Sequence, residues 1–159
     1  MKKSQKGFTL VELIVVIAII GVLAAILVPA MVGYITDSKL SASNSSAKTV
    51  YTAVNNYAQK ALTAGHQLTA SDYSGTVAAP AATEPDPAQG DTDTANQIGL
   101  AIGASLNKDA NGSEYRVVIG SNGFPTDAAW AKSSSDTYVG AYPTAATSYT
   151  AGGISSYSF

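Results

Sequence analysis

FTLVELIVVIAIIGVLAAILVPAMVGYI, residues Phe8 to Ile35, is an apolar run interrupted by Glu12, Gly21, Pro29 and Gly33. Within it begins a stretch of 24 residues, Leu13 to Thr36, without a single charge. As a helix that stretch spans about 36 Å at ~1.5 Å per residue. A bilayer core is ~30 Å thick, so the segment is long enough to cross one. Ahead of it, Met1 to Gly7 is short and cationic, with Lys2, Lys3 and Lys6. Those lysines place Met1 on the cytoplasmic side and Asp37 onwards outside.

The remainder of the 159-residue chain is a different material. Over the whole chain hydrophobic residues make up 46% and charged residues only 13%, while 33 Ser and Thr are spread mainly through the hydrophilic body. The formal net charge of −2 shows no basic surface of the kind that binds nucleic acid. With no cysteine, disulfides, thiolate catalysis and Cys-bound zinc are excluded. A single histidine, His66, argues against His-based triads and multi-His metal centres. The chain therefore reads as a non-enzyme, with no cofactor and no metal assigned.

Three fates fit the apolar run: a plain single-pass anchor, a cleaved secretory signal, or a helix kept after processing ahead of it. Val28-Pro29-Ala30 offers a small-residue cleavage site, with Met31 as the new start, but the run is long for a signal's apolar region of about 7–15 residues. Glu12 raises the third reading. A carboxylate at mid-depth in a membrane helix costs ~2.5–3.5 kcal/mol, so it calls for a partner or a task.

Lys6-Gly7-Phe8-Thr9-Leu10-Val11-Glu12 resembles the signature of type IV prepilins: a basic leader ending in Gly, then Phe, with Glu four residues on. The close resemblance covers residues 1 to about 60, and the rest matches in layout alone. It implies a leader, 1–7, removed by a prepilin peptidase between Gly7 and Phe8, and N-methylation of Phe8. It also implies pairing of Glu12 with the freed amine of Phe8 on a neighbouring copy. Glu12 lying at headgroup depth is the alternative, and both hold at different stages. Gly21 and Pro29 resemble positions flanking a pilin segment that unwinds on assembly; a simple kink at Pro29 reads equally well.

The resemblance implies an α+β pilin fold in which a long N-terminal helix, transmembrane in its first half and amphipathic in its second, packs on a small antiparallel sheet. Residues 8–36 form the membrane and filament-core helix, 37–64 the amphipathic helix, and 65–159 the head. Residues 8 to 64 together make a rod of ~85 Å. Periodicity supports the second half: Leu40, Ala47, Val50, Tyr51, Val54, Ala58, Ala61 and Leu62 fall within an arc of roughly 120°, with Tyr57 at its edge. Lys48, Thr52, Asn55, Asn56, Gln59 and Lys60 take the other side, and Gly65 is a suitable stop.

Beyond it, His66 to Asp93 reads as a long loop broken by Pro80, Pro85 and Pro87. Asp93 or Thr94 caps a short helix carrying Ile98, Ala101, Ile102 and Leu106. Asp109-Ala110-Asn111-Gly112 is a turn, Tyr115 to Ile119 a strand, and Ser121-Asn122-Gly123 a tight turn into a strand around Ala128 to Ala131. Thr137 to Tyr142, Thr147 to Thr150 and Ile154 to Phe159 complete a sheet of three to five strands. Asp72, Glu84, Asp86, Asp91 and Asp93 gather oxygens of the type calcium uses, as do Asp109, Asn111 and Glu114, but no EF-hand pattern is present and solvation accounts for them. Tyr34 and Tyr51 suggest nothing beyond packing, and His66 is assigned no role.

The expected function is a structural subunit of a type IV pilus-like surface filament, with motility, adhesion or DNA uptake as properties of the fibre. Its partners are copies of itself, the prepilin peptidase, the cytoplasmic membrane and the assembly machinery, with no nucleic-acid site evident. The precursor is a single-pass membrane protein with its head outside, and the mature form sits in an extracellular pilus. A pseudopilin of a type II secretion or competence system is the alternative, and a secreted or anchored binding domain the reading from another class. Many Gram-negative pilins close a C-terminal loop with a disulfide. This chain has no cysteine to do so, which leans toward a Gram-positive pilin or a pseudopilin.

Overall fold

The computed structural model describes residues 7–77, 86, 94–106 and 111–159. They comprise helix α1 (Leu10–Thr63), strand β1 (Asp72–Thr76), helix α2 (Thr94–Ser105), strands β2 (Glu114–Ile119), β3 (Pro125–Ala131) and β4 (Gly140–Tyr142), and a 3-10 turn (Ile154–Ser156). The class is α+β, as expected. The chain divides into two compact units, Met1–Ser38 and Lys39–Phe159.

In the first unit, every described residue except the half-buried Thr36 is exposed. The helix runs through both Gly21 and Pro29 without interruption. Its side chains have no apolar surface of this unit to cover them: Leu10, Ile26 and Met31 are 73%, 70% and 58% exposed.

The second unit is built on one face of α1. Leu40, Ser43, Ala47, Val50, Ala53, Val54, Tyr57, Ala58 and Ala61 are buried, at spacings of three and four that keep them on one side of a helix. The expected arc is correct at its centre and too wide at one margin. Leu62 is 50% exposed, because Ala61 is the residue of the last turn that faces inward. Tyr51, half-buried, packs edge-on against Tyr142 with ring centroids 4.9 Å apart. The helix ends where Gly65 takes φ +87°, the left-handed conformation that favours glycine. The Gly65 N–H donates to the Leu62 carbonyl at 3.1 Å and the His66 N–H to that of Ala61 at 2.8 Å, a Schellman stop.

The sheet is an antiparallel meander in the order β1-β2-β3-β4. Along β2, Tyr115, Val117 and Ile119 point inward, where they join Val50, Val54 and Tyr57 of α1 and Ile98 and Ile102 of α2 in the main core. The expected turn before β3 is present: the Phe124 N–H donates to Asn122 Oδ1 at 3.1 Å, and Gly123 has φ +78°.

Four expectations about strands need correction. Asp72–Thr76, read as loop, is a strand: its residues are polar because it is an outer strand whose order comes from pairing with β2, Tyr73 opposite Val117. Within Thr137 to Tyr142 only Gly140–Tyr142 pairs. Thr147 to Thr150 and Ile154 to Phe159 are not strands. Gly152 and Gly153 both adopt positive φ, turning the chain so that Ile154 enters the 3-10 turn and packs with Ala129, Ala131 and Val139 on the sheet's other face.

That C-terminal segment is held by Arg116. Its guanidinium forms a two-pronged ion pair with Asp72, donates from Nη1 to the Tyr157 carbonyl and lies 5.4 Å from the centre of the Phe159 ring. The Arg116 and Asp72 side chains keep 27% and 43% of their surface exposed, so the ion pair itself contributes no more than about 1 kcal/mol.

At the opposite end of the sheet, Asn44 of α1 replaces a neighbouring strand. Its Oδ1 accepts from the N–H groups of Ala141 at 2.9 Å and Ala146 at 3.0 Å, and its Nδ2 donates to the Ala146 carbonyl at 2.9 Å. Gly140 makes this approach feasible, since a Cβ there would run into the backbone of Ser43 and Asn44.

Tyr115 gives the core a pH limit. The side chain is 1% exposed and its hydroxyl donates to the Ala95 carbonyl at 2.6 Å. Burial penalises the phenolate and pushes the pKa up to about 12 from the ordinary 10.0. The folded state favours the protonated form, so this stabilisation is complete below pH 10 and is lost as pH rises towards 12. We expect the head's unfolding free energy to fall by about 2–3 kcal/mol across that window, and the Tyr115→Phe variant to lack this component. Denaturant titrations at pH 9 and 11.5 check it.

Candidate functional site

The residues singled out for processing and assembly lie at the start of α1. Gly7 and Phe8 precede the helix, both exposed, Phe8 by 83%. Thr9 is the cap and Glu12 the third residue of the helix. Glu12 Oε2 accepts from the Thr9 N–H at 2.9 Å and from Thr9 Oγ1 at 2.7 Å, while the Glu12 N–H donates to Thr9 Oγ1 at 3.3 Å. This reciprocal arrangement is a capping box. It satisfies backbone donors that a helix start leaves unpaired and sets a carboxylate at the positive end of the helix dipole. An acid at position 12 thus has a use inside a single chain, before any second copy is considered. The signal for it, Thr-x-x-Glu ahead of an apolar run, is present in the sequence but overlaps the stretch read for processing.

Further along, Gly21 and Pro29 lie inside the helix. A Cβ at Gly21 would meet no atom within 4 Å. Proline at 29 supplies no N–H for the helix ladder, so the carbonyl one turn back lacks its usual donor.

Of the acidic residues considered for calcium, Asp72, Asp86 and Glu114 are described, and they form no cluster of three. Asp72 is engaged with Arg116, and Glu114 opens β2. Asp86 is described through its N–H, which donates to Gln97 Oε1 at 2.8 Å. Glu84, Asp91, Asp93 and Asp109 lie outside the described residues, as do Pro80, Pro85, Pro87 and, ahead of Gly7, the leader. Among the described residues no three His, Cys, Asp or Glu side chains cluster. His66 is exposed. Tyr34 is 79% exposed and Tyr57, at 4%, belongs to the core.

Residues 2–28 match the prokaryotic N-terminal methylation motif. That segment is similar to the start of type IV fimbrial proteins. It is 58% identical over 41 residues to the fimbrial protein EcpC of Eikenella corrodens, covering 26% of this chain and 27% of that protein. It is equally identical over 41 residues to a type IV major fimbrial protein FimA of Dichelobacter nodosus, 26% of each chain. Another FimA from Dichelobacter nodosus is 59% identical over 39 residues, 24% of each. The match thus spans about a quarter of these relatives' length. No solved structure matches the chain.

Proposed function

We propose that the chain is the structural subunit of a type IV pilus-like filament. It is made as a membrane precursor with its head outside the cytoplasm, cut between Gly7 and Phe8 by a prepilin peptidase, methylated at Phe8, and polymerised by the pilus assembly machinery through residues 8–36. Residues 37–64 and 65–159 then carry the exposed coat. The observation that carries this reading is a helix of membrane-crossing length that is apolar on all sides, with large side chains exposed throughout the first unit. Such a surface needs a cover: lipid in the precursor, and equivalent helices of other copies in a fibre.

Cleavage creates a cationic amine at Phe8, four residues from Glu12. In the apolar core of a fibre, an amine on one copy and a carboxylate on the next avoid the cost of isolated buried charges. The mass of the N-terminal peptide from native protein tests the reading. A methylated Phe8 start is expected; a Met31 start means a secretory signal, and an intact Met1 means a simple anchor. Either of the last two overturns it.

A further inference from the structure

The head carries a small pocket that the packing of its core does not use. It has a volume of about 320 Å³ and is lined by Lys39 and Ser43 of α1, Trp130 of β3, and Lys132, Asp136 and Tyr138 from the segment leading to β4. Its wall thus includes two basic side chains, one acidic side chain and two aromatic ones. Lys39 is held with its Nζ 5.0 Å from the centre of the Tyr138 ring. Asp136 is held by one oxygen, which accepts the Tyr138 N–H at 3.0 Å. Lys132 is exposed, and no hydrogen bond or ion pair engages its ammonium among the described residues. The Trp130 indole N–H is already satisfied by Ser113 Oγ at 3.0 Å, leaving the ring as an apolar wall.

The pocket's place in the chain narrows what it meets. The uncharged run ends at Thr36, and Lys39 follows three residues later in the sequence. The headgroup layer of a bilayer is about 5–7 Å deep on each side of the hydrocarbon. A lysine at that position stands among lipid headgroups whenever the run crosses a membrane, and Trp and Tyr favour the same depth.

We propose that this pocket receives the phosphoethanolamine headgroup of an outer-leaflet phospholipid, its phosphate against Lys39 and Lys132 and its ammonium against Asp136. The proposal rests on the membrane-precursor reading above. A bare phosphate would gain the lysines but face the aspartate. A glycerol headgroup brings no cation for Asp136, and the trimethylammonium of choline has no N–H to donate to it. The volume is at the small end of ligand pockets, enough for a headgroup whose acyl chains stay in the bilayer. Seated this way, the head of the precursor is docked on the membrane surface, and entry into a fibre requires the headgroup to leave.

Trp130 is the chain's single tryptophan and lines the pocket, so its fluorescence reports occupancy directly. The full chain in a phosphate-free maltoside detergent is titrated with soluble dihexanoyl-phosphatidylethanolamine, its choline and glycerol counterparts, and inorganic phosphate. The expected result is a saturable change in Trp130 emission with the ethanolamine lipid at concentrations where the other three give none. Lys132→Gln and Lys39→Gln each weaken binding about tenfold or more, as loss of a charge-assisted hydrogen bond does. Lys132→Arg retains it, and Asp136→Asn keeps the Tyr138 contact while removing the preference for ethanolamine over glycerol. No response to the ethanolamine lipid overturns the proposal, as does an equal response to phosphate alone or to the other two lipids, or unchanged binding by both lysine variants. Because these probes are soluble, the pocket is tested apart from membrane insertion. Alkaline extraction of cell membranes checks insertion separately, and release of the chain there defeats the precursor reading instead.

Discussion

Gly140→Ala is expected to lower the stability of the head by about 3 kcal/mol or more, the upper end of what overpacking costs. The added methyl group would meet main-chain atoms of Ser43 and Asn44, not the movable end of a side chain. Neither backbone yields easily: residues 43 and 44 are inside α1, and Gly140 is paired with Trp130 across β3 and β4. Relief therefore requires β4 to back away from the helix. That movement strips Asn44 of its bonds to Ala141 and Ala146 and leaves polar groups with poor partners, adding to the loss. For a domain of this size the melting temperature should drop by about 10 °C or more. Near-UV circular dichroism of the detergent-solubilised chain follows the transition. Gly21→Ala is the control: its methyl enters open space, so the head's melting point should not move. An unchanged melt for Gly140→Ala would mean that the close approach of strand and helix is not a structural constraint.

The second large effect concerns Glu12, where two roles can be separated. Glu12→Val removes both the capping contacts to Thr9 and the negative charge. Glu12→Gln keeps an oxygen able to accept from Thr9, since glutamine also closes a capping box, and removes only the charge. Under the proposed assembly both variants insert and are cut after Gly7, and both lose filament yield by at least about tenfold. Loss of the carboxylate leaves a neighbour's amine buried without its partner, a penalty of ~3–5 kcal/mol. Sheared-fibre yield, measured beside the mass of the N-terminus, gives the answer. Near-normal fibres from Glu12→Gln with few from Glu12→Val would reduce Glu12 to a helix cap and end the pairing argument.

What was legible in the sequence followed the strength of the local signal. The membrane-length helix needs only a count of uncharged residues. The inward face of α1 needs only spacing, and Gly65 ends the helix where expected because no other residue takes its backbone angles as cheaply. β2 shows itself through alternation, with Tyr115, Val117 and Ile119 inside. β1 does not, because Asp72-Tyr73-Ser74-Gly75-Thr76 carries no apolar alternation of its own and owes its order to β2. The C-terminal residues misled for the converse reason: Ile154 and Phe159 are apolar, but their burial is arranged by two glycines and by Arg116, contacts that no short window contains. At the candidate site, Gly7, Phe8 and Glu12 stand out by motif. The Thr9 partnership is equally visible as a spacing, yet its geometry becomes plain only with Oγ1 and Oε2 in place. The pocket lined by Lys39 and Lys132 joins residues 93 positions apart and lies beyond the reach of pattern.

The amide of Asn44 has a consequence for crowding. A sheet margin with unsatisfied main-chain donors invites another sheet to add to it, a hazard that grows when many identical domains are held close together. Here the margin at Ala141 is sealed by a side chain from the domain's own helix, so adjacent heads have nothing to zip onto there. Under the proposed assembly, cohesion among tightly ranked copies is thereby left to the greasy residues 8–36.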